Sequence, residues 1–312
     1  MRQRESNITW TLNGIVSIEK LLTYLCPILG QIMGRTLTSK IPTHTVLEGG
    51  GFKVRRPVAM GKLMSPFLLL DEMGPVVYEP GEAIGAPSHP HRGFETVTYM
   101  IEGAMQHKDS AGNSGDLLSG DVQWMTAGKG VIHSELPHPD MIKNGGLNHG
   151  FQIWVNLPAK DKMMEPRYQD IPNDSIPQVT SEDGKVWAKV IAGKALGVEA
   201  VIDTVIPITY IHMKMEIGSK YTHYTETDEN LMLYVFNGSI FIDVDKLDDG
   251  ELGITSKGDS IEISSGEEGG ELLILGGPQL DEPIARYGPF VMNTREEIHQ
   301  AIWDYNNGTL TD

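Results

Sequence analysis

The chain has 312 residues, of which 40% are hydrophobic and 21% charged, and these proportions are typical of a globular protein with a substantial core. Its formal net charge of −17 argues against direct binding to nucleic acid, because such an interface must neutralise phosphates with Lys and Arg. The single cysteine, Cys26, excludes an internal disulfide and fits a reducing compartment.

Residues 1–45 are predicted to form an N-terminal extension of uncertain order. The stretch from Ile15 to Met33 is fairly apolar, but Glu19, Lys20 and Pro27 interrupt it. A membrane span needs about 20 mostly apolar residues. We therefore expect a loosely ordered extension with a short helix, and no interaction with a membrane.

From about residue 46 onward, short β-like runs alternate with turn residues, and the 35 glycines and 18 prolines are spread through the chain. This pattern predicts an all-β protein. We expect two β-rich domains at 46–165 and 186–305, joined by a linker at 166–185 and followed by a tail at 306–312.

The end of the second domain predicts an amphipathic helix between Asn293 and Tyr305. Thr294 and Glu297 have the spacing of a capping box. The apolar stripe of this helix consists of Ile298, Ala301, Ile302 and Tyr305. We expect the helix to dock on a domain.

Two short motifs predict a metal site. His89 and His91 have i, i+2 spacing, as do His133 and Glu135, so each pair lies on one face of a strand. If the two strands face each other, three imidazoles and one carboxylate converge. This donor set suits iron, manganese, nickel, copper or zinc rather than calcium or magnesium, and an octahedral metal would keep two positions open.

Six further histidines have no such partner and are expected to be structural or exposed. They are His107, His138, His149, His212, His223 and His299.

The second β-rich domain echoes the first, which predicts a duplication. Tyr99–Gly103 resembles Tyr234–Gly238 at an offset of 135 residues, and Ser119–Val122 resembles Lys257–Ser260 at an offset of 138. Applied to the four candidate ligands, these offsets lead to Tyr224, Glu226, Glu271 and Leu273. None is a histidine, so we expect the second copy to have lost its metal and to serve packing and partner recognition.

The stretch from His89 to Glu135 resembles the metal-binding pattern of the cupins, and specifically that of the pirins. Cupins carry His-x-His with a following glutamate, here Glu95, whereas the motif Gly-Lys-Gly-Val-Ile-His-Ser-Glu ending at Glu135 is pirin-like. The resemblance covers about residues 46–305. Other pirin-like segments are Phe67–Glu72, Gln123–Gly128, Gln152–Leu157, Glu165–Tyr168 and Gly288–Thr294.

The resemblance implies a bicupin of two stacked antiparallel β-barrels, a double-stranded β-helix fold, with a short C-terminal helix. It also implies one Fe(II)/Fe(III) per chain in the first barrel, with other divalent transition metals as alternatives. The iron would be held by the residues that match the family ligands, His89, His91, His133 and Glu135. Glu95 would be either a fifth ligand or a group that orients an imidazole, and the pirin pattern favours the latter.

The resemblance implies two functions. The favoured one is a nuclear and cytoplasmic iron protein that acts as a redox-dependent transcriptional co-regulator, with transcription factors or signalling proteins such as a G-protein α subunit as partners. A positive patch of Arg55, Arg56, Lys62 and Arg92 would contact the partner, the alternative for these residues being an ordinary solvated surface.

The alternative function is that of a quercetin 2,3-dioxygenase, which opens the central ring of a flavonol with dioxygen. Adjacent flavonol oxygens would bind the open metal positions, and Glu135 would accept a proton if it can loosen from the metal. Trp124 and Met125 are candidates for the apolar walls, the alternative for both being ordinary core residues of a strand. A storage-type cupin without activity is disfavoured because the ligand set is retained.

The family pattern does not cover residues 1–45, and the basic segment that usually ends pirins is not expected to contribute here.

Overall fold

The structure is a computed structural model that describes residues 34–57 and 63–312. The helix expected near residues 15–33 and the patch residue Lys62 lie outside the described residues.

The described residues are mostly β-strands, as predicted. The strands of the first half are β1 (Leu37–Glu48), β2 (Phe52–Pro57), β3 (Phe67–Tyr78), β4 (Ala86–His91), β5 (Phe94–Glu102), β6 (Met105–Asp109), β7 (Ser114–Leu117), β8 (Val122–Thr126), β9 (Val131–Pro137), β10 (Gly146–Asn156) and β11 (Arg167–Ile171). A short helix, α1 (Pro139–Asn144), precedes β10.

The second half repeats this plan. Its strands are β12 (Gln178–Thr180), β13 (Val186–Ala192), β14 (Lys194–Ala195), β15 (Val198–Glu199), β16 (Thr209–Met215), β17 (Lys220–Tyr224), β18 (Asn230–Ile242), β19 (Asp245–Asp248), β20 (Glu251–Thr255), β21 (Ser260–Gly277), β22 (Ala285–Tyr287) and β23 (Phe290–Met292). The helix α2 (Arg295–Asn307) follows. No helix among residues 34–57 and 63–312 is long and apolar enough to cross a bilayer.

Strand β1 joins the two halves of the molecule. It pairs with β2 over residues 43–48 and with β20 over residues 37–42, so it begins upstream of residue 46. One antiparallel sheet therefore runs in the order β11-β8-β5-β10-β3-β2-β1-β20-β18-β21-β16-β13-β12. The sheet β4-β9-β6-β7 completes the first barrel, while β17 and β19 complete the second. This is the expected bicupin architecture. Strand β11 lies within the segment predicted as a linker and pairs with β8.

The main core lies between the two barrels. Val97 and Tyr99 of β5 pack there with Tyr234 and Leu252 of the second half. Burial of such side chains contributes about 1.5–3 kcal/mol each. Because side chains alternate along a strand, the even-numbered residues of β5 point into the first barrel.

The interiors of the two barrels differ in polarity. Leu231, Leu233, Ile261, Ile263 and Ile274 belong to an apolar cluster that fills the second barrel. The first barrel instead contains buried polar side chains on several strands, among them Thr96, Thr98, His91 and His133. In the described residues, the interior of the first barrel therefore carries polar side chains where this cluster of the second barrel is apolar.

Helix α2 forms as predicted. Thr294 and Glu297 make the reciprocal capping-box hydrogen bonds, and the chain leaves the helix at Gly308 with a φ of 74°. Ile298 and Ala301 are buried, whereas Tyr305 is 40% exposed, so the apolar stripe is narrower than predicted.

Arg92 attaches this helix to the first barrel. Its guanidinium donates to Asp304 Oδ2 at 2.5 Å, to the carbonyl of Leu310 at 3.1 Å and to the carbonyl of Lys129. Arg92 is only 4% exposed. Its predicted place on an exposed patch is therefore wrong, because all three contacts hold it inside the protein.

Candidate metal centre

Strands β4 and β9 bring the three predicted histidines together. The strands are antiparallel, and His89 lies opposite His133 in their register. The three ring centroids are 4.5–5.0 Å apart. One ring nitrogen from each of His89, His91 and His133 lies within 4.8 Å of the others, which is a spacing that one metal ion can bridge.

The nitrogen atoms of this cluster fit a metal ion. The Nδ1 atom of His89 lies 2.8 Å from the carbonyl of Pro87, to which it can donate, and this leaves Nε2 as the coordinating atom. Nδ1 of His91 and both nitrogens of His133 are buried without a hydrogen-bond partner. Buried polar atoms are normally paired, so these orphaned nitrogens suit a metal ligand role.

The electrostatics favour neutral imidazoles. Burial, reinforced by the neighbouring His133 and His89, lowers the pKa of His91 well below 6.5. Burial also lowers the pKa of His133 to about 4, against the opposing effect of Glu135. A neutral ring keeps the lone pair that a metal requires.

Glu135 lies at the edge of this cluster. It is partly buried on β9, and its Oε1 accepts a hydrogen bond of 2.9 Å from the Thr98 hydroxyl. It lines the same cavity as His89 and His91, but it is outside the group of donors that lie within 4.8 Å of one another. Its role as a fourth ligand stays a prediction.

Glu95 does not reach the histidines. Phe94 contacts His91 with ring centroids 5.1 Å apart, and Thr98 bonds Glu135, so the even-numbered side chains of β5 face the site. Glu95 lies on the opposite face, where its Oε1 accepts a hydrogen bond of 2.6 Å from the Thr126 hydroxyl. Burial raises its pKa. Both predicted roles, ligand and orienting group, are therefore wrong.

His89 and His91 line a cavity of about 480 Å³. Trp154 forms part of its wall, with its ring centroid 5.4 Å from that of His91, and the Arg286 guanidinium lies 4.7 Å from the Trp154 ring. Other lining residues are Phe52, Val54, Leu69, Met73, Met105 and Gln152.

Of the two alternatives for Trp124 and Met125, the structure supports ordinary core residues and not walls of this cavity. Both are fully buried and do not line this cavity, and Trp124 belongs to the core between the barrels. Trp154 was missed by sequence analysis. The available signal was its even spacing from Gln152 on β10, which puts both side chains on one face of that strand.

Comparison with known proteins identifies the family. Residues 51–155 match the model described as pirin, and residues 210–311 match the pirin C-terminal cupin domain. Human pirin is 37% identical over 281 residues, which cover 88% of this chain and 93% of the human protein. The chain belongs to the pirin family. A pirin-like protein of Solanum lycopersicum is also 37% identical, over 290 residues that cover 88% of this chain and 92% of the relative.

Solved structures agree with this pirin assignment. The crystal structure of quercetin 2,3-dioxygenase from Acinetobacter baumannii is similar with a TM-score of 0.85 and 37% sequence identity. The match covers 89% of this chain and 98% of the Acinetobacter chain.

The described residues of the predicted positive patch are paired. The side chains of Arg55 and Arg56 are 29% and 24% exposed, and each lies between two carboxylates. These carboxylates are Glu72 and Asp249 for Arg55, and Glu48 and Asp71 for Arg56. With Arg92 buried, none of the three arginines offers a free charge to a partner.

The strand register corrects the repeat arithmetic. Tyr99 lies opposite Val122 and Tyr234 opposite Leu252, so β20 corresponds to β8 with an offset of 130 residues, and 138 is wrong. The two similar turns do not occupy equivalent positions, because Ser119–Asp121 precedes β8 whereas Lys257–Asp259 precedes β21. In β17, Tyr221 lies opposite Ile263 and His223 opposite Ile261. The counterparts of the four candidate ligands are therefore Tyr221, His223, Ile263 and Ser265. One imidazole remains.

Proposed function

We propose that this member of the pirin family is a metal-dependent dioxygenase that opens the central ring of a flavonol. The observation that carries this proposal is the cluster of His89, His91 and His133, with buried, unpaired imidazole nitrogens on His91 and His133, beside a cavity with aromatic and aliphatic walls that His89 and His91 line. The likeness to a protein named quercetin 2,3-dioxygenase over nearly its whole length supports it.

The metal that we propose is one iron ion per chain, held by His89, His91 and His133 with Glu135 as a fourth ligand. Three neutral imidazoles suit iron and other first-row transition metals, and the choice of iron rests on the family resemblance. The chemistry that such an ion supplies when bound is polarisation of the hydroxyl and carbonyl oxygens of a flavonol.

The residues of the cavity would bind the substrate and accept its proton. Trp154, Leu69 and Met73 line the cavity and present an apolar surface that suits a planar aromatic substrate and excludes water. Phe94 is fully buried and packs against Trp154 with ring centroids 4.4 Å apart, which holds this wall in place. Glu135 lines the same cavity and is hydrogen-bonded by Thr98, and in this proposal it would loosen from the metal to accept the proton of a substrate hydroxyl.

The activity test is the variant Glu135→Gln. The amide keeps the shape of the side chain but accepts no proton, so we expect turnover per bound metal to fall by roughly 10²–10⁴-fold. The measurement is oxygen uptake together with loss of flavonol absorbance, normalised to metal content. The matched control is Glu262→Gln, which removes an exposed carboxylate paired with Lys220 and should leave turnover unchanged.

Two results would refute the proposal. One is wild-type protein that is fully loaded with iron yet consumes no oxygen with a flavonol. The other is Glu135→Gln protein that turns over at the wild-type rate per bound iron.

The co-regulator role stays a prediction from the resemblance, together with its nuclear location and its protein partners. It was tied to a redox-sensitive positive patch, and the described arginines of that patch are buried or paired. For this reason we rank it second to the enzymatic function.

A further inference from the structure

Thr98 makes an unusual pair of contacts behind the metal centre. It is 2% exposed, and its hydroxyl oxygen lies 2.9 Å from Oε1 of Glu135 and 2.9 Å from the side-chain oxygen assigned to Gln152. A threonine hydroxyl has one proton, so it can donate to only one of these oxygens. The two contacts cannot both be donated by Thr98.

The chemistry of the three groups removes the conflict. An ionised carboxylate only accepts, so Thr98 donates to Glu135. The oxygen and nitrogen of a glutamine amide are interchangeable in shape, so Gln152 turns its amide nitrogen to Thr98 and donates to the hydroxyl oxygen. The hydrogen bonds then run in one direction, from Gln152 through Thr98 to Glu135.

This chain crosses the interior of the first barrel. Gln152 on β10 lies directly opposite Thr98 on β5 in the large sheet, whereas Glu135 is on β9 of the smaller sheet. Gln152 and Glu135 also line the cavity of the histidines. Hydrogen bonds in such a low-dielectric interior are strengthened, and successive bonds polarise one another.

We propose that Thr98 and Gln152 are positioning residues that hold Glu135 by Oε1, leaving Oε2 available at the histidine cluster. Without the hydroxyl, the carboxylate would have to be ordered when the metal binds, and this would weaken binding. The inference rests on the metal site of the proposed function but is independent of the substrate.

The test compares three variants of the full chain. Thr98→Val removes the donor at nearly constant shape, and Thr98→Ser keeps it. Thr96→Val is the matched control, because Thr96 is equally buried at 2% on the same face of β5 and is not hydrogen-bonded to Glu135. The measurement is the dissociation constant for Fe(II), obtained without oxygen by competition with a chromophoric chelator.

We expect Thr98→Val to bind Fe(II) roughly 10–100-fold more weakly, as is usual for the loss of a group that orients a metal ligand. Thr98→Ser should recover most of the affinity, and Thr96→Val should match the wild type. Gln152→Leu should weaken binding by a smaller factor. It provides a second test should Thr98→Val fail to fold.

A double-mutant cycle shows whether Thr98 acts through Glu135. In a Glu135→Gln background, Thr98→Val should cause almost no further loss of Fe(II) affinity. Wild-type affinity in Thr98→Val, or an equal loss in both backgrounds, would overturn the proposal. Absence of flavonol turnover would refute the proposed reaction while leaving this affinity pattern intact, so the two failures are distinguishable.

Discussion

Replacement of His133 by alanine is expected to remove most of the bound metal while the fold stays largely intact. His133 supplies one of the three clustered ring nitrogens, and neither of its nitrogens has a hydrogen-bond partner in the protein. Its loss should therefore weaken metal binding by more than the roughly 10–100-fold typical of an outer partner. The measurements are metal content of the purified protein and its thermal unfolding temperature.

The structure supplies a matched control for this variant. His223 in the second barrel is buried to 3% exposure, has an unpartnered Nε2 and is the register counterpart of His91. Its neighbours in that register are Tyr221 and Ile263, so it lacks the other imidazoles. His223→Ala should retain one metal per chain. Iron at the wild-type level in His133→Ala, or two metals per wild-type chain, would contradict the site assignment.

Local patterns were enough to predict the histidine cluster and helix α2. The spacing of His89 and His91 fixes their common face, and the pairing of β4 with β9 places them beside His133. The capping box of Thr294 and Glu297 lies within one helical turn. The capping box joins residues that are close in sequence, and the metal site joins two short motifs that are both rich in metal-binding residue types.

The sequence did not reveal on which face of a strand a side chain lies, or which residues far apart in sequence come into contact. Glu95 fits the spacing of a family motif, yet the register of β5 turns it away from His91. Arg92 follows His91 in the chain, but its partner Asp304 is 212 residues away. The charge of Arg92 is neutralised by this ion pair. Arg286 likewise contacts Trp154 of the cavity wall although the two residues are far apart in sequence. Such contacts depend on how remote strands are brought together.

The junction between the two barrels gives the largest stability prediction. Glu72 of β3 is fully buried and accepts four hydrogen bonds. Two come from Arg55 at 2.8 and 2.9 Å, one from His149 at 2.8 Å and one from the hydroxyl of Tyr234 at 2.5 Å. Since Tyr234 belongs to β18, this carboxylate ties the second half of the molecule to the first.

Glu72→Gln is expected to lower the free energy of unfolding by about 1–3 kcal/mol at pH 7, the usual cost of leaving a buried hydrogen-bonding group without its partner. The glutamine amide group would place its own donors against Arg55, His149 or Tyr234, while the partly exposed guanidinium of Arg55 would keep its ion pair with Asp249. The measurement is chemical denaturation. The control Glu262→Gln breaks an exposed pair with Lys220 and should have almost no effect.

The same variant should also change how stability depends on pH. Burial alone would raise the pKa of Glu72, but the hydrogen bonds from His149, Arg55 and Tyr234 outweigh it and hold the pKa below its ordinary value of 4.5. A depressed carboxyl pKa stabilises the folded state above the unfolded pKa, and that contribution is lost as the pH falls through the folded value. The difference between wild type and Glu72→Gln should therefore be full at pH 7 and shrink below the ordinary pKa of 4.5. A difference that is the same at neutral and acid pH, or no larger than that of Glu262→Gln, would show that the junction does not depend on this charge.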